Sequence, residues 1–159
     1  MSHPPCLSLC RPQAAVTAGA RLLTSPVLDE ALVARFREST SCLFLPGIAT
    51  PTEAHRAVAA GARLVKLFPA PSAGGVGFVK AMRGALPDIG VVPSHGITLG
   101  LARRYLLAGA PACILSAAVF PPGAVRLGDG PAVVAAAARL AADLAREFEL
   151  SSGNGAAEA

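Results

Sequence analysis

Five apolar runs, centred on Leu22, Leu43, Val65, Val91 and Ile114, recur every 21–26 residues along this 159-residue chain. Each is short, stops near a proline, serine or glycine, and is followed by a stretch with helical spacing. Near-continuous apolar runs suit strands covered on both faces, and strands separated by helices pair in parallel. So short a strand–helix period favours a (β/α)8 barrel over a doubly wound sheet. The expected fold is therefore α/β, a partial (β/α)8 TIM barrel with about five parallel strands.

The local signals set the elements in order. A helix over 12–18 ends at Gly19, and a strand over 20–24 is closed by Ser25-Pro26. A helix over 29–37 carries Leu32, Val33 and Phe36 on one face, and a strand over 42–45 is stopped by Pro46-Gly47. Thr50-Pro51-Thr52-Glu53 reads as a capping box with proline at the first helical position, opening a helix that ends at Gly61. After the strand around Val65, Gly74-Gly75 precedes a helix through Phe78, Val79 and Met82. A strand over 89–92 leads to Pro93-Ser94-His95-Gly96. Thr98 then caps a helix to about Leu107, a fifth strand covers 112–115, and a helix covers 131–149. One domain over 12–150 is expected, with disordered segments at 1–11 and 151–159.

Composition narrows the function. Charged residues make up 15% of the chain and the net charge of +4 is scattered as single arginines, so no basic block or aromatic–basic interleaving points to nucleic acid. No apolar run has the length of a membrane span. Cys42 and Cys113 lie inside apolar runs and read as core residues of a reducing, cytoplasmic compartment. His3, Cys6 and Cys10 lack a fourth ligand at zinc spacing, so no metal is expected. The first ten residues resemble neither a signal peptide nor a transit peptide.

Lys66 stands out. The chain has two lysines against twelve arginines, and this one sits inside the run Leu64-Val65-Lys66-Leu67-Phe68. An ammonium held in apolar surroundings loses hydration, its pKa falls, and the neutral amine can attack a carbonyl. The other reading is a strand-end lysine whose stem snorkels to solvent. Strand ends that share a barrel mouth would gather Pro46, Lys66, Phe68, Ser94, His95, Gly96 and Ser116.

Leu45-Pro46-Gly47-Ile48-Ala49-Thr50-Pro51-Thr52-Glu53, then Val65-Lys66-Leu67-Phe68-Pro69-Ala70, then Gly74-Gly75, resemble the 2-keto-3-deoxy-6-phosphogluconate (KDPG) aldolases, a group that includes the 4-hydroxy-2-oxoglutarate and phosphogalactonate aldolases. The agreement in order and spacing covers about 13–120. The resemblance implies a class I aldolase, usually a trimer, that releases pyruvate and an aldehyde without metal or cofactor. It implies Lys66 as the Schiff-base residue, Phe68 beside the iminium and Pro46 in the floor of the site. It also implies phosphate loops at Ser94-His95-Gly96 and Leu115-Ser116-Ala117, where most of the family has Thr-Gly-Gly and Gly-Gly-Ser. The segment 91–120 looks more like the plant and algal branch, for which a plastid is an alternative compartment. Pro71 stands where a glutamate often follows the Phe-Pro-Ala motif.

Against the family, the first three strands are missing. They carry a proton-moving glutamate and a Gly-Ala-Gly-Thr loop that touches the substrate carboxylate. Glu30, Glu38 and Glu53 fall in helical segments and do not replace that glutamate. Two readings stay open: an aldolase of 2-keto-3-deoxy sugar acids acting through Lys66, and a truncated, inactive remnant serving as a structural or interaction module. A third, weaker reading is another phosphate-binding barrel that does not use the lysine.

Overall fold

The structure is a computed structural model that describes residues 10–39 and 41–153. The chain opens with α1 (Cys10–Thr17), β1 (Leu22–Thr24) and α2 (Glu30–Phe36), followed by β2 (Leu43–Leu45), β3 (Gly47–Ile48) and α3 (Pro51–Ala59). Then come β4 (Leu64–Leu67), α4 (Gly75–Ala85), β5 (Gly90–Pro93) and α5 (Leu99–Leu107), and finally α6 (Ser116–Val119), α7 (Pro122–Leu127) and α8 (Gly130–Gly153). Every strand pair is parallel: β1 with β2, β3 with β4, and β4 with β5. The expected α/β order of parallel strands and covering helices is present, and no closed barrel forms among the described residues.

Pro46 does more than stop a strand. Ser25 donates to the Leu45 carbonyl on one side of it, and Lys66 donates to its own carbonyl at 2.8 Å on the other. Lacking an N–H, Pro46 interrupts the ladder without ending the extended chain, which resumes at once as β3. One segment thus joins the two-stranded sheet to the three-stranded one.

The core is double. Leu32, Val33 and Phe36 of α2 pack against Cys42 and Phe44. Val65, Leu67 and Val91 pack against Ala54, Ala57, Val79, Met82, Ala102 and Tyr105 from α3, α4 and α5. Since side chains alternate along a strand, Val65 and Leu67 face the helices while Leu64 and Lys66 face the other side. In the two-stranded sheet Leu22 and Leu43, paired in register, remain 51% and 47% exposed.

Cap chemistry follows the sequence. Thr50 Oγ1 accepts from the Glu53 N–H while Glu53 Oε2 accepts from the Thr50 N–H, a reciprocal capping box with Pro51 at the first helical position. Thr50→Ala is expected to cost about 1 kcal/mol, read as a lower urea midpoint with an unchanged m-value.

Two expectations need correction at the C-terminal end. The fifth strand, placed at 112–115, is only a single parallel bridge between Ser94 and Ile114, with Ile114 donating to the Pro93 carbonyl at 2.9 Å. Pro93 offers no donor in return, and the chain turns helical at Ser116, so no ladder extends. Helices α6 and α7 were not anticipated. Helix α8, capped by Asp129 Oδ1 accepting from the Ala132 N–H, runs to Gly153, past the expected tail start at Ser151. The rest of that tail, and His3 and Cys6 with the first nine residues, lie outside the described ones.

Candidate active site at the Lys66 strand end

The site grows out of the ladder. Lys66 pairs with Gly47 on one side and Val92 on the other, and the next steps place Ile48 beside Leu67 and Leu67 beside Pro93. Phe68 continues the chain, donating to the Ile48 carbonyl at 2.9 Å. Two residues beyond Lys66 along an extended strand, Phe68 shares its face. The Lys66 Nζ lies 4.9 Å from the centroid of the Phe68 ring. Cation–π contact of this kind orients the ammonium without fixing it in an ion pair.

Lys66 is half-buried, between the desolvated amine and the snorkelling strand-end lysine that the sequence left open. Its stem lies in the sheet face and its tip reaches the mouth, where Nζ makes a long, 3.5 Å hydrogen bond to Thr24 Oγ1 at the end of β1. No carboxylate pairs with it among the described residues. Desolvation pushes the Lys66 ammonium below its ordinary value of 10.5. Between that lowered value and 10.5 the unfolded chain binds more protons than the folded one. The charged group therefore detracts from stability at neutral pH, and the penalty is relieved as pH rises through the folded pKa. Lys66→Met is expected to be more stable than the native chain at pH 7 by about 0.5 kcal/mol, small because solvent screens a half-exposed group. The gap should close toward pH 10.5 in urea titrations; a less stable variant at pH 7 would contradict this.

The loop after β5 completes the mouth. Ser94 is buried and clamped, donating to the Leu67 carbonyl at 3.1 Å and accepting from the Ala70 N–H at 2.9 Å. His95 takes a φ of 73°, in the left-handed region that favours glycine, at a strain of about 1 kcal/mol. Its exposed ring stands edge-on to Phe68, centroids 5.4 Å apart and planes at 71°. Gly96, also left-handed at φ 67°, faces Pro71. Lys66, Pro46, Phe68, Ser94, His95 and Gly96 are thus connected through one strand end. Ser116 opens α6 beyond the Ile114 bridge and shares no hydrogen bond with these residues among those described.

Thr24 escaped sequence reasoning because it lies 42 residues from Lys66. Its only local mark is its place as the hydroxyl closing the first strand run. Glu53 is committed elsewhere: the Ala49 N–H first, then the Thr50 hydroxyl and N–H, hold its carboxyl below the usual carboxylate range against the opposing effect of burial. A cleft of about 340 Å³ lined by Arg21, Arg37 and Arg63 sits at the N-terminal strand ends. Ligands of parallel α/β sheets bind at the C-terminal strand ends, where Lys66 is, so the cleft is not the site.

The family model described as KDPG and KHG aldolase matches residues 7–136. The chain is 34% identical over 116 residues to the 2-dehydro-3-deoxy-phosphogluconate aldolase of Pseudomonas aeruginosa, covering 73% of this chain and 52% of that protein. It is 35% identical over 120 residues to the Dickeya dadantii protein of the same name, covering 76% and 56%. Among solved structures it resembles native KDPGal with a TM-score of 0.65 and 30% identity, over 74% of this chain and 56% of that one. It resembles equally the KDPG aldolase of Legionella pneumophila with pyruvate captured as a covalent carbinolamine, TM-score 0.65 and 25% identity, over 80% and 61%. The chain spans about half the length of the curated relatives it matches.

Proposed function

The chain belongs to the KDPG and KHG aldolase family, and from that premise we propose that it is a class I aldolase acting on 2-keto-3-deoxy sugar acids or 4-hydroxy-2-oxoglutarate through Lys66. The carrying observation is a lysine of lowered pKa at a C-terminal strand end, held over Phe68 without a carboxylate partner among the described residues. The neutral amine adds to the 2-keto carbon, and loss of water from the carbinolamine leaves an iminium. The C4 hydroxyl gives its proton to water, the C3–C4 bond breaks with its electron pair forming the C2=C3 bond as the C=N π pair returns to nitrogen, and an aldehyde leaves. Protonation of the remaining enamine at C3 and hydrolysis return pyruvate and the free amine. Pro46 and Phe68 form the floor and wall of the carbonyl pocket. Ser94, His95, Gly96 and Ser116 contact the far end of the substrate.

In this reading the described strands are part of a (β/α)8 barrel, the first three strands corresponding to the unmatched portion of the relatives. The assembly is a homotrimer in the cytoplasm, the segment 91–120 belongs with the plant and algal branch, and neither metal nor cofactor takes part. A second reading has one observation in its favour: Leu22 and Leu43 stand exposed side by side on the two-stranded sheet formed by β1 and β2. An uncovered apolar face of this kind suits a remnant that serves as an interaction module.

Borohydride reduction in the presence of pyruvate separates the two. A pyruvyl adduct confined to the peptide that holds Lys66 supports the aldolase. A folded, monodisperse chain that takes up no adduct would remove catalysis and leave the interaction module.

A further inference from the structure

A lysine that attacks a carbonyl must have its nitrogen aimed as well as neutral. A flexible four-carbon stem separates the Lys66 backbone from Nζ, and the Phe68 ring, 4.9 Å away at its centroid, attracts the cation without setting a direction. A directional partner stands on the neighbouring sheet. Thr24 Oγ1 accepts from Lys66 Nζ at 3.5 Å and takes part in no other hydrogen bond among the described residues. The hydroxyl next to it is committed, since Ser25 is buried and its Oγ accepts from the Val27 N–H at 3.2 Å.

The backbone brings Thr24 there. Thr24 ends β1 opposite Leu45, and Gly47, two residues further on, is the register partner of Lys66. Gly47 has no side chain, and the backbone of Ser25 and Pro26, directly after Thr24, occupies the space its Cβ would need. Ser25 donates to the Leu45 carbonyl and Gly47 to the Val27 carbonyl, both at 3.1 Å, which pins the end of β1 beside the lysine. The β-branch of threonine restricts its χ1 in addition. Every one of these contacts is made within the described strands.

We propose that Thr24 is a positioning residue for the Lys66 nitrogen, a role that rests on the Schiff-base reading of that lysine. Its hydroxyl accepts from an N–H of the neutral amine, which leaves the nitrogen lone pair turned away from Thr24. Once the carbinolamine has lost water, the nitrogen is planar and keeps a single N–H, which donates to the same oxygen. One acceptor then fixes the plane of the C=N bond, and with it the face of the 2-keto carbon that lies open. Thr24 itself makes and breaks no covalent bond. A hydrogen bond of 3.5 Å in the unliganded site is of the kind that tightens when substrate is bound.

Borohydride reads that plane directly. Hydride added to C2 of the pyruvate iminium creates a stereocentre in the carboxyethyl-lysine, so the ratio of its two diastereomers reports which face was open. The native chain is expected to give one in excess. Thr24→Val keeps the shape and the β-branch but removes the acceptor. It is expected to bring the ratio toward even and to slow adduct formation at saturating pyruvate by about 3–10-fold, the scale of one hydrogen bond. Thr24→Ser restores the hydroxyl and should recover both. Thr24 is exposed, so neither substitution leaves a cavity in the core. An even mixture from the native chain, a ratio or rate unmoved in Thr24→Val, or a loss that Thr24→Ser shares would each overturn the positioning role and leave Lys66 as the Schiff-base residue. A native chain that takes up no adduct would remove the Schiff-base reading and the Thr24 role with it.

Discussion

If Lys66 is the Schiff-base residue proposed above, Lys66→Arg and Lys66→Met should both lose the reducible pyruvate adduct, and carbon–carbon cleavage should drop on the order of 10⁶-fold, the scale of deleting a covalent nucleophile. The arginine variant is the sharper of the two. It keeps the positive charge, the long apolar stem and the contact with Phe68, yet a guanidinium does not deprotonate in a protein and forms no iminium. If charge at the pocket were what mattered, Lys66→Arg would retain function. The chain carries an internal control, because its other lysine, Lys80, lies exposed on α4. Lys80→Ala should trap pyruvate like the native chain. Peptide mapping after reduction decides the matter: an adduct on Lys80, or one that survives in Lys66→Arg, would refute the assignment.

Gly47→Ala should destabilise the chain by about 3 kcal/mol or more and push it toward insolubility. Gly47 is buried immediately after Pro46, where the chain passes from one sheet to the next. A Cβ there would run into the backbone carbonyl carbon and oxygen of Pro26, and would lie 2.6 Å from the Ser25 carbonyl oxygen. These are backbone atoms tied into the β1–β2 ladder: Ser25 donates to the Leu45 carbonyl at 3.1 Å and Gly47 donates to the Val27 carbonyl at 3.1 Å. They cannot rotate away as a side chain could. The disturbance would also reach the site, since Gly47 is the register partner of Lys66. Gly84→Ala provides the contrast. It sits in α4 with nothing within 4 Å of the added methyl, and replacing a helical glycine should stabilise by about 0.5–1 kcal/mol. Urea midpoints moving in opposite directions would confirm that the Gly47 effect is steric. A Gly47→Ala chain as stable as the native one would rule it out.

Much of the molecule was legible along the chain because its signals are short-range. The alternation of apolar runs with helical spacing marked β1, β2, β4 and β5 and the helices between them. Thr50-Pro51-Thr52-Glu53 announced a capping box whose four residues are neighbours in sequence, and Gly19 and Gly61, read as helix ends, both take a positive φ. Lys66 was conspicuous because a lysine inside a strand run breaks the local pattern. The fifth strand failed for the same kind of reason in reverse. An apolar run at 112–115 proposes a strand, but a ladder also needs a donor from the neighbouring chain, and Pro93 has none to offer.

What the chain order could not express is register. Parallel strands separated by helices bring together residues that lie tens of positions apart, and only the ladder decides which ones meet. Thr24 reaches Lys66 across 42 residues, and the Phe68 ring meets both the Lys66 ammonium and the His95 ring. Pro46-Gly47 reads locally as a stop; in the fold it is a continuous bridge between two sheets, since interrupting one hydrogen bond does not oblige an extended chain to turn. Sequence alone determined the alternation, the caps and the lysine set inside a strand run, all written within a few residues. Tertiary structure decided which groups surround that lysine, because those contacts depend on where whole strands lie against one another.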